Sequence, residues 1–186
     1  MQLFGDKKHL DTELNFLVEQ SIKGNRNAQR RIYDSLSGKM FAVCLRYMGD
    51  RDSAEDVLQN GFVTLFTKLE SYSGEGSFEG WARKIFVNTA LMALRKNDAL
   101  KQSEGMDSAW SMKDEDPSPL QNIAYKELMR LISDLPVGFR TVFNMYVVEG
   151  YSHKEIAGEL GISENTSRSQ LQRARMMLQK KIKELY

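Results

Sequence analysis

Ser152 to Arg175 reads SHKEIAGELGISENTSRSQLQRAR, and this stretch decides the fold class. Ser152 with Glu155 three residues later is the S-x-x-E pattern of a capping box, which opens a short helix ending near Leu160. Gly161-Ile162-Ser163 follows as a tight turn, and Ser163 starts a last helix that runs close to Tyr186. A short capped helix, a glycine at the turn and a longer basic helix make a helix-turn-helix, whose second helix fits a DNA major groove. On a 3.6-residue period, Ser167, Leu171, Ala174, Leu178 and Ile182 form one stripe and are expected to pack inward. The other side carries Asn165, Ser169, Gln172, Arg173, Met176, Lys180 and Lys183, flanked by Arg168 and Arg175. From Ser163 to Lys183 there are six basic residues and one acid. Asn, Gln and Arg near a helix amino end suit adenine and guanine edges, and the later lysines suit phosphates.

The same reading extends upstream. Ser118-Pro119 opens a helix to about Asp134, Leu135-Pro136 breaks it, and another runs from Val137 to Val148. Residues 101–119, KQSEGMDSAWSMKDEDPSP, have no sustained period and many Ser, Asp and Glu. Such a segment buries too little apolar surface to offset its ordering entropy, and 99–119 reads as a flexible acidic linker. Net charge is −2 over 1–19, +3 over 20–98, −3 over 99–121 and +3 over 122–186, so the total of +1 conceals two basic blocks. Clustered cations of this kind fit phosphate partners.

The first block reads as four helices. Asp11 is expected to cap one that ends near Ile22. Asn25 opens a second, with Ile32, Leu36, Val43, Cys44 and Tyr47 at helical spacing. Asp52 and Glu55 resemble a capping box for a third, running to about Glu70. Leu58, Phe62, Leu65, Phe66 and Leu69 form its inward stripe; Asp56, Gln59, Asn60, Val63 and Thr67 lie opposite, a candidate contact face. Ser71 to Gly76, SYSGEG, is a loop, and Ser77 caps a fourth helix through Lys96. Phe78, Trp81, Ala82, Ile85, Thr89 and Met92 are expected on its buried face, with Lys84, Asn88 and Arg95 on another side. No segment alternates as a strand does, so the expected fold is all-α: two small helical domains, 10–98 and 120–186, joined by the linker.

Several functions are excluded by what the chain lacks. No apolar run approaches the roughly 18 residues of a membrane-spanning helix, and Met1 to His9 hold no signal-peptide core. One Cys and two His offer neither a disulfide framework nor a His/Cys metal site, and fit a reducing cytoplasm. There is no phosphate-cradling glycine loop and no credible nucleophile–base pair, so no catalytic residue, cofactor or small-molecule substrate is expected. Two alternatives stand beside this. A stand-alone helix-turn-helix regulator would account for 152–183 but not for the Asp56/Gln59 face. A metal-dependent nucleic-acid enzyme working through Asp50 or Asp52 would need carboxylates grouped as metal ligands, and the sequence shows no such grouping.

AEDVLQNGF (54–62), FEGWARKIFVNTALMALRK (78–96), LPVGFRTVFNMYVVEGYSHKEIAGELGIS (135–163) and TSRSQLQRAR (166–175), in this order across an acidic linker, resemble extracytoplasmic-function (ECF) sigma factors of bacterial RNA polymerase. The resemblance covers residues 12–184. It implies a cytoplasmic, non-enzymatic initiation factor whose partners are core RNA polymerase, promoter DNA and, often, an anti-sigma factor. Asp56 and Gln59 match the family's polymerase-contacting positions, with Asn60, where an acid is usual, and Val63 on the same face. The 73–78 loop, from Ser73 to Phe78, corresponds to the segment that captures a flipped-out base of the −10 element. Asn88 matches an asparagine that recognises that strand, with Lys84 and Arg95 beside it. Arg168, Ser169, Gln172 and Arg173, with Asn165 and Thr166, fall where the family reads the −35 duplex. Ser167 replaces a customary Val on the packing stripe, and Ala93 stands where an Asp is common.

Overall fold

A computed structural model of the chain describes residues 3–104 and 123–185, with side chains for 13–96 and 127–185. Every regular element among them is a helix. The described residues divide into two compact units: Leu45–Asp50 and the segments from α5 onward form the second, and the remaining amino-terminal helices form the first.

The first unit is built on α1 (Leu3–Ile22), α2 (Arg26–Met48) as far as Cys44, α3 (Arg51–Thr67) and α4 (Phe78–Glu104). Asp11 lies inside α1 instead of capping it. Asn25 does cap α2: its Oδ1 accepts from the amides of Asn27 at 3.0 Å and Ala28 at 3.2 Å. Ile32, Leu36, Val43, Cys44 and Tyr47 are all buried, as their spacing requires. α3 begins two residues earlier than its capping-box reading, so Asp52 sits in the first turn, and Glu55 instead accepts from Arg51 Nε at 2.8 Å. A 3-10 turn, Leu69–Ser71, follows. Ser77 caps α4 by accepting from the Gly80 amide at 3.1 Å.

The buried face of α4 is turned from its expected position. Phe78, Ala82, Phe86, Val87, Ala90 and Leu91 are buried, while Met92 is 67 % exposed. Ile85 and Phe86 offer two competing apolar registers one residue apart, and α3 decides between them. At Gly61 an added Cβ would stand 2.3 Å from the Phe86 ring, so a helix without a side chain there opens the slot the ring fills. Phe62 meets Phe86 edge-on at 5.0 Å between centroids. α4 also continues to Glu104, past Lys96 and into the stretch read as linker; residues 105–119, and the Ser118-Pro119 cap, lie outside the described residues.

The second unit holds α5 (Ile123–Ser133), α6 (Val137–Phe143), α7 (His153–Leu160) and α8 (Glu164–Leu185). Pro136, with φ −50°, stands before α6, where its missing N–H costs nothing. α6 loosens into a π-helical turn, Asn144–Val148. Leu131, Ile132, Leu135, Ala174 and Leu178 make the core, with Phe139, Phe143 and Met177 packed on it. Arg140 is a buried cation of this unit, and it donates to the carbonyls of Ser133, Leu135, Tyr47 and Met48. Burial lowers its pKa, against the opposing pull of Asp50 and Asp134. Four acceptors are what make a buried guanidinium tolerable.

Candidate functional site

The helix-turn-helix is built by local chemistry. Ser152 Oγ accepts from the Glu155 amide at 3.2 Å, and the Glu155 carboxylate accepts from the Ser152 amide at 2.8 Å and its hydroxyl at 2.7 Å. Two helix-end donors are thus satisfied reciprocally. Gly161 ends α7 in the left-handed region, φ +66°, which a side chain would strain. Ser163 Oγ then accepts from the Thr166 amide at 3.0 Å and opens α8. The chain enters α8 in one defined direction.

That start fixes which side chains α8 presents. Ser167, Leu171, Ala174 and Leu178 are buried; Ile182, expected on the same stripe, is 40 % exposed. Asn165, Arg168, Ser169, Gln172 and Arg173 are exposed together, and Thr166 is half-buried beside them. Arg168 donates to Asn165 Oδ1 at 3.2 Å and to Glu164 Oε2 at 2.8 Å. Such an exposed pair is worth little, so a phosphate or base edge can displace it cheaply. The Ser169 hydroxyl donates back to the Thr166 carbonyl at 2.9 Å, which leaves its lone pairs directed outward as acceptors.

In the first unit the candidate residues lie on two helix faces. Asp56, Gln59, Asn60 and Val63 are all exposed on α3, one turn after another, and Val63 is 66 % exposed. An apolar side chain so exposed beside an acid and two amides has the mixed character of a contact surface. Lys84, Asn88 and Arg95 are exposed on α4, and Met92, which periodicity placed inward, stands between Asn88 and Arg95.

The loop before α4 is a small structure of its own. The Tyr72 hydroxyl donates to the Gly76 carbonyl at 2.9 Å, closing the loop at its neck. The exposed Ser73 Oγ accepts from the Glu75 amide at 3.3 Å. Phe78 departs from its expected role as a DNA-contacting residue. It is completely buried, with Tyr72 at 5.2 Å and Trp81 at 5.6 Å between ring centroids, and serves as the post on which the loop is anchored. Tyr72 was not singled out from the sequence; its place six residues before the aromatic helix start at Phe78 is the signal that could have found it.

A family model described as Sigma-70 region 2 matches residues 32–100, and one described as Sigma-70, region 4 matches residues 125–178. An ECF RNA polymerase sigma-E factor of Haemophilus influenzae is 30% identical over 91% of this chain and 95% of its own length. The chain belongs to the ECF sigma factors. An ECF RNA polymerase sigma-E factor of Escherichia coli is 27% identical over 91% of this sigma factor and 94% of its own length. Among solved structures, the sigma factor RpoE in complex with the anti-sigma factor NepR from Bartonella quintana is similar in fold. It has a TM-score of 0.57 and 19% identity over 83% of this chain and 96% of that one. The α3 and α4 faces lie within the region 2 match, and α7 with α8 as far as Leu178 within the region 4 match. Among the described residues no three His, Cys, Asp or Glu side chains are grouped as metal ligands, and no helix is long and apolar enough to cross a membrane.

Proposed function

We propose that this sigma factor is a non-catalytic initiation subunit that divides its work among three surfaces. The α3 face, Asp56, Gln59, Asn60 and Val63, docks on core RNA polymerase. The Ser73 loop and the α4 face, Lys84, Asn88 and Arg95, hold the opened −10 strand. Asn165, Thr166, Arg168, Ser169, Gln172 and Arg173 of α8 read the −35 duplex. Residues 10–98 and 120–186 are the working halves, and 99–119 the tether between them. The polymerase supplies the chemistry, in the cytoplasm where it works, and an anti-sigma protein that covers these faces is a further partner.

Physical reasons support each assignment. Opening a base pair costs a few kcal/mol, which contacts to the strand and to polymerase have to offset. Exposed cations beside an amide on α4 suit an unpaired strand, since single strands are held by positive charge and shaped pockets. The observation that carries the reading is that Asn165, Arg168, Ser169, Gln172 and Arg173 are exposed together on a helix opened by the Ser163 cap just after a left-handed glycine. Co-purification with bacterial core polymerase, followed by transcription from a promoter library, tests it. Binding with initiation at a restricted set of promoters is expected. Selective duplex binding by the folded chain, without association with core, would replace this reading with a stand-alone regulator.

A further inference from the structure

Ser167 is a polar residue with no exposed surface on the packing stripe of α8. Its Oγ lies 2.9 Å from Nδ1 of His153, the first residue of α7. The Tyr146 ring of the π turn stacks on the imidazole, with centroids 4.5 Å apart and planes 23° apart. The Arg175 guanidinium stands 5.9 Å over the same Tyr146 ring. A chain of contacts therefore runs from α8 through the π turn and α7 back to α8. It ties the inward side of the recognition helix to the helix before it.

We propose that His153 and Ser167 form a positioning pair that seats α8 against α7 and takes up a proton when a DNA duplex settles on α8. The proposal rests on the reading of α8 as the duplex-binding helix. The contact survives either charge state. A neutral imidazole accepts the Ser167 hydroxyl proton at Nδ1, and an imidazolium donates Nδ1–H to the same oxygen. Only the direction of the bond reverses, so protonation does not unseat the helix.

The charged groups around His153 set the sign of the linkage. From α8, Arg168 and Arg175 disfavour the imidazolium and Glu164 favours it; the π turn contributes the Tyr146 ring, and α7 itself Lys154 and Glu155. Burial, first, and the two arginines hold the His153 pKa below its ordinary 6.5 in the free protein. Phosphates brought to Arg168 and Arg175 would cancel the field of those cations. The imidazolium then becomes easier to form, the bound state holds more proton than the free state, and affinity must rise as pH falls.

The test uses holoenzyme assembled from core polymerase and the full chain, with a promoter recovered from the library selection, between pH 7.5 and pH 6. His153→Asn keeps a hydrogen-bonding group near the Nδ1 position but cannot titrate. Wild type is expected to tighten on acidification about three- to tenfold more than His153→Asn, the scale of a pKa rise of up to about one unit. At pH 7.5 His153→Asn is expected to bind like wild type, whereas His153→Ala and Ser167→Ala bind several-fold more weakly. Parallel pH profiles for wild type and His153→Asn would overturn the proton linkage, and full affinity in His153→Ala would overturn the positioning role. A second readout does not depend on how well the variants fold. The chain has two histidines, so NMR titration of the imidazole protons follows His153 directly beside His9. Its pKa is expected to rise on adding promoter duplex to the free protein, and an unmoved pKa with bound duplex would overturn the proposal. Absence of promoter binding at every pH would instead overturn the reading of α8, and the proposal with it.

Discussion

The α8 surface and the α3/α4 surfaces are specified in different ways. α8 is aimed by short-range chemistry: one capping box, one left-handed glycine and one serine cap lie within twelve residues of its first turn. The α3 and α4 faces are aimed by packing, because what they present is whatever the aromatic core leaves outside. Local chemistry makes a site that is readable from a short motif. A site aimed by packing becomes readable only when the partner helix is known.

Variants that separate these two modes differ in size of effect. Phe86→Ala empties the slot beside Gly61 and is expected to destabilise the first unit by about 3–5 kcal/mol. Denaturant unfolding with a probe in each unit should show loss of the first while α7 and α8 stay folded. Equal loss in both would mean the units are not independently specified. Asp56→Ala with Gln59→Ala removes exposed groups only, so circular dichroism should be unchanged while core polymerase affinity falls by about 2–4 kcal/mol, as for an interface hot spot. Unchanged affinity would sink the α3 assignment. Arg173→Ala is expected to cost about 1–3 kcal/mol of discrimination between promoter sequences if it reads a base. An equal loss on all duplexes would make it a phosphate contact.

Two smaller effects sharpen the contrast. Ser152→Ala removes the cap that starts α7 and should lower the stability of the second unit by about 1 kcal/mol. A melting curve like that of wild type would show that the cap does not set the turn. The acid dependence of the free protein has a definite sign. His153 has a folded-state pKa below its unfolded value near 6.5, so its contribution is complete above that value and is lost as pH falls through the folded pKa. Thermal stability of the free chain should therefore drop more on acidification in wild type than in His153→Asn. Promoter affinity should move the opposite way over the same range.

The all-α fold, the Asn25, Ser77, Ser152 and Ser163 caps and the exposed residues of α8 were legible because each is decided within a few residues. The α4 face was not. Ile85 and Phe86 give two registers of similar hydrophobicity, and it is Gly61, on another helix about 25 residues upstream, that admits the Phe86 ring. That single choice moved Met92 to the surface. Ile182 is exposed because the core of the second unit closes at Leu178. The Ser167–His153 contact was hidden for the same reason as the α4 face, since its partners lie 14 residues apart and meet only when α7 packs on α8.

The most direct measurement is initiation by core polymerase with this chain on a selected promoter, comparing wild type, the Asp56/Gln59 double variant and Arg173→Ala. Initiation at a defined start is expected with wild type. Both core binding and initiation should be lost in the double variant, and promoter choice should be lost with core binding intact in Arg173→Ala. Wild-type protein that binds duplex selectively but neither holds core nor supports initiation would contradict the division of work among the three surfaces.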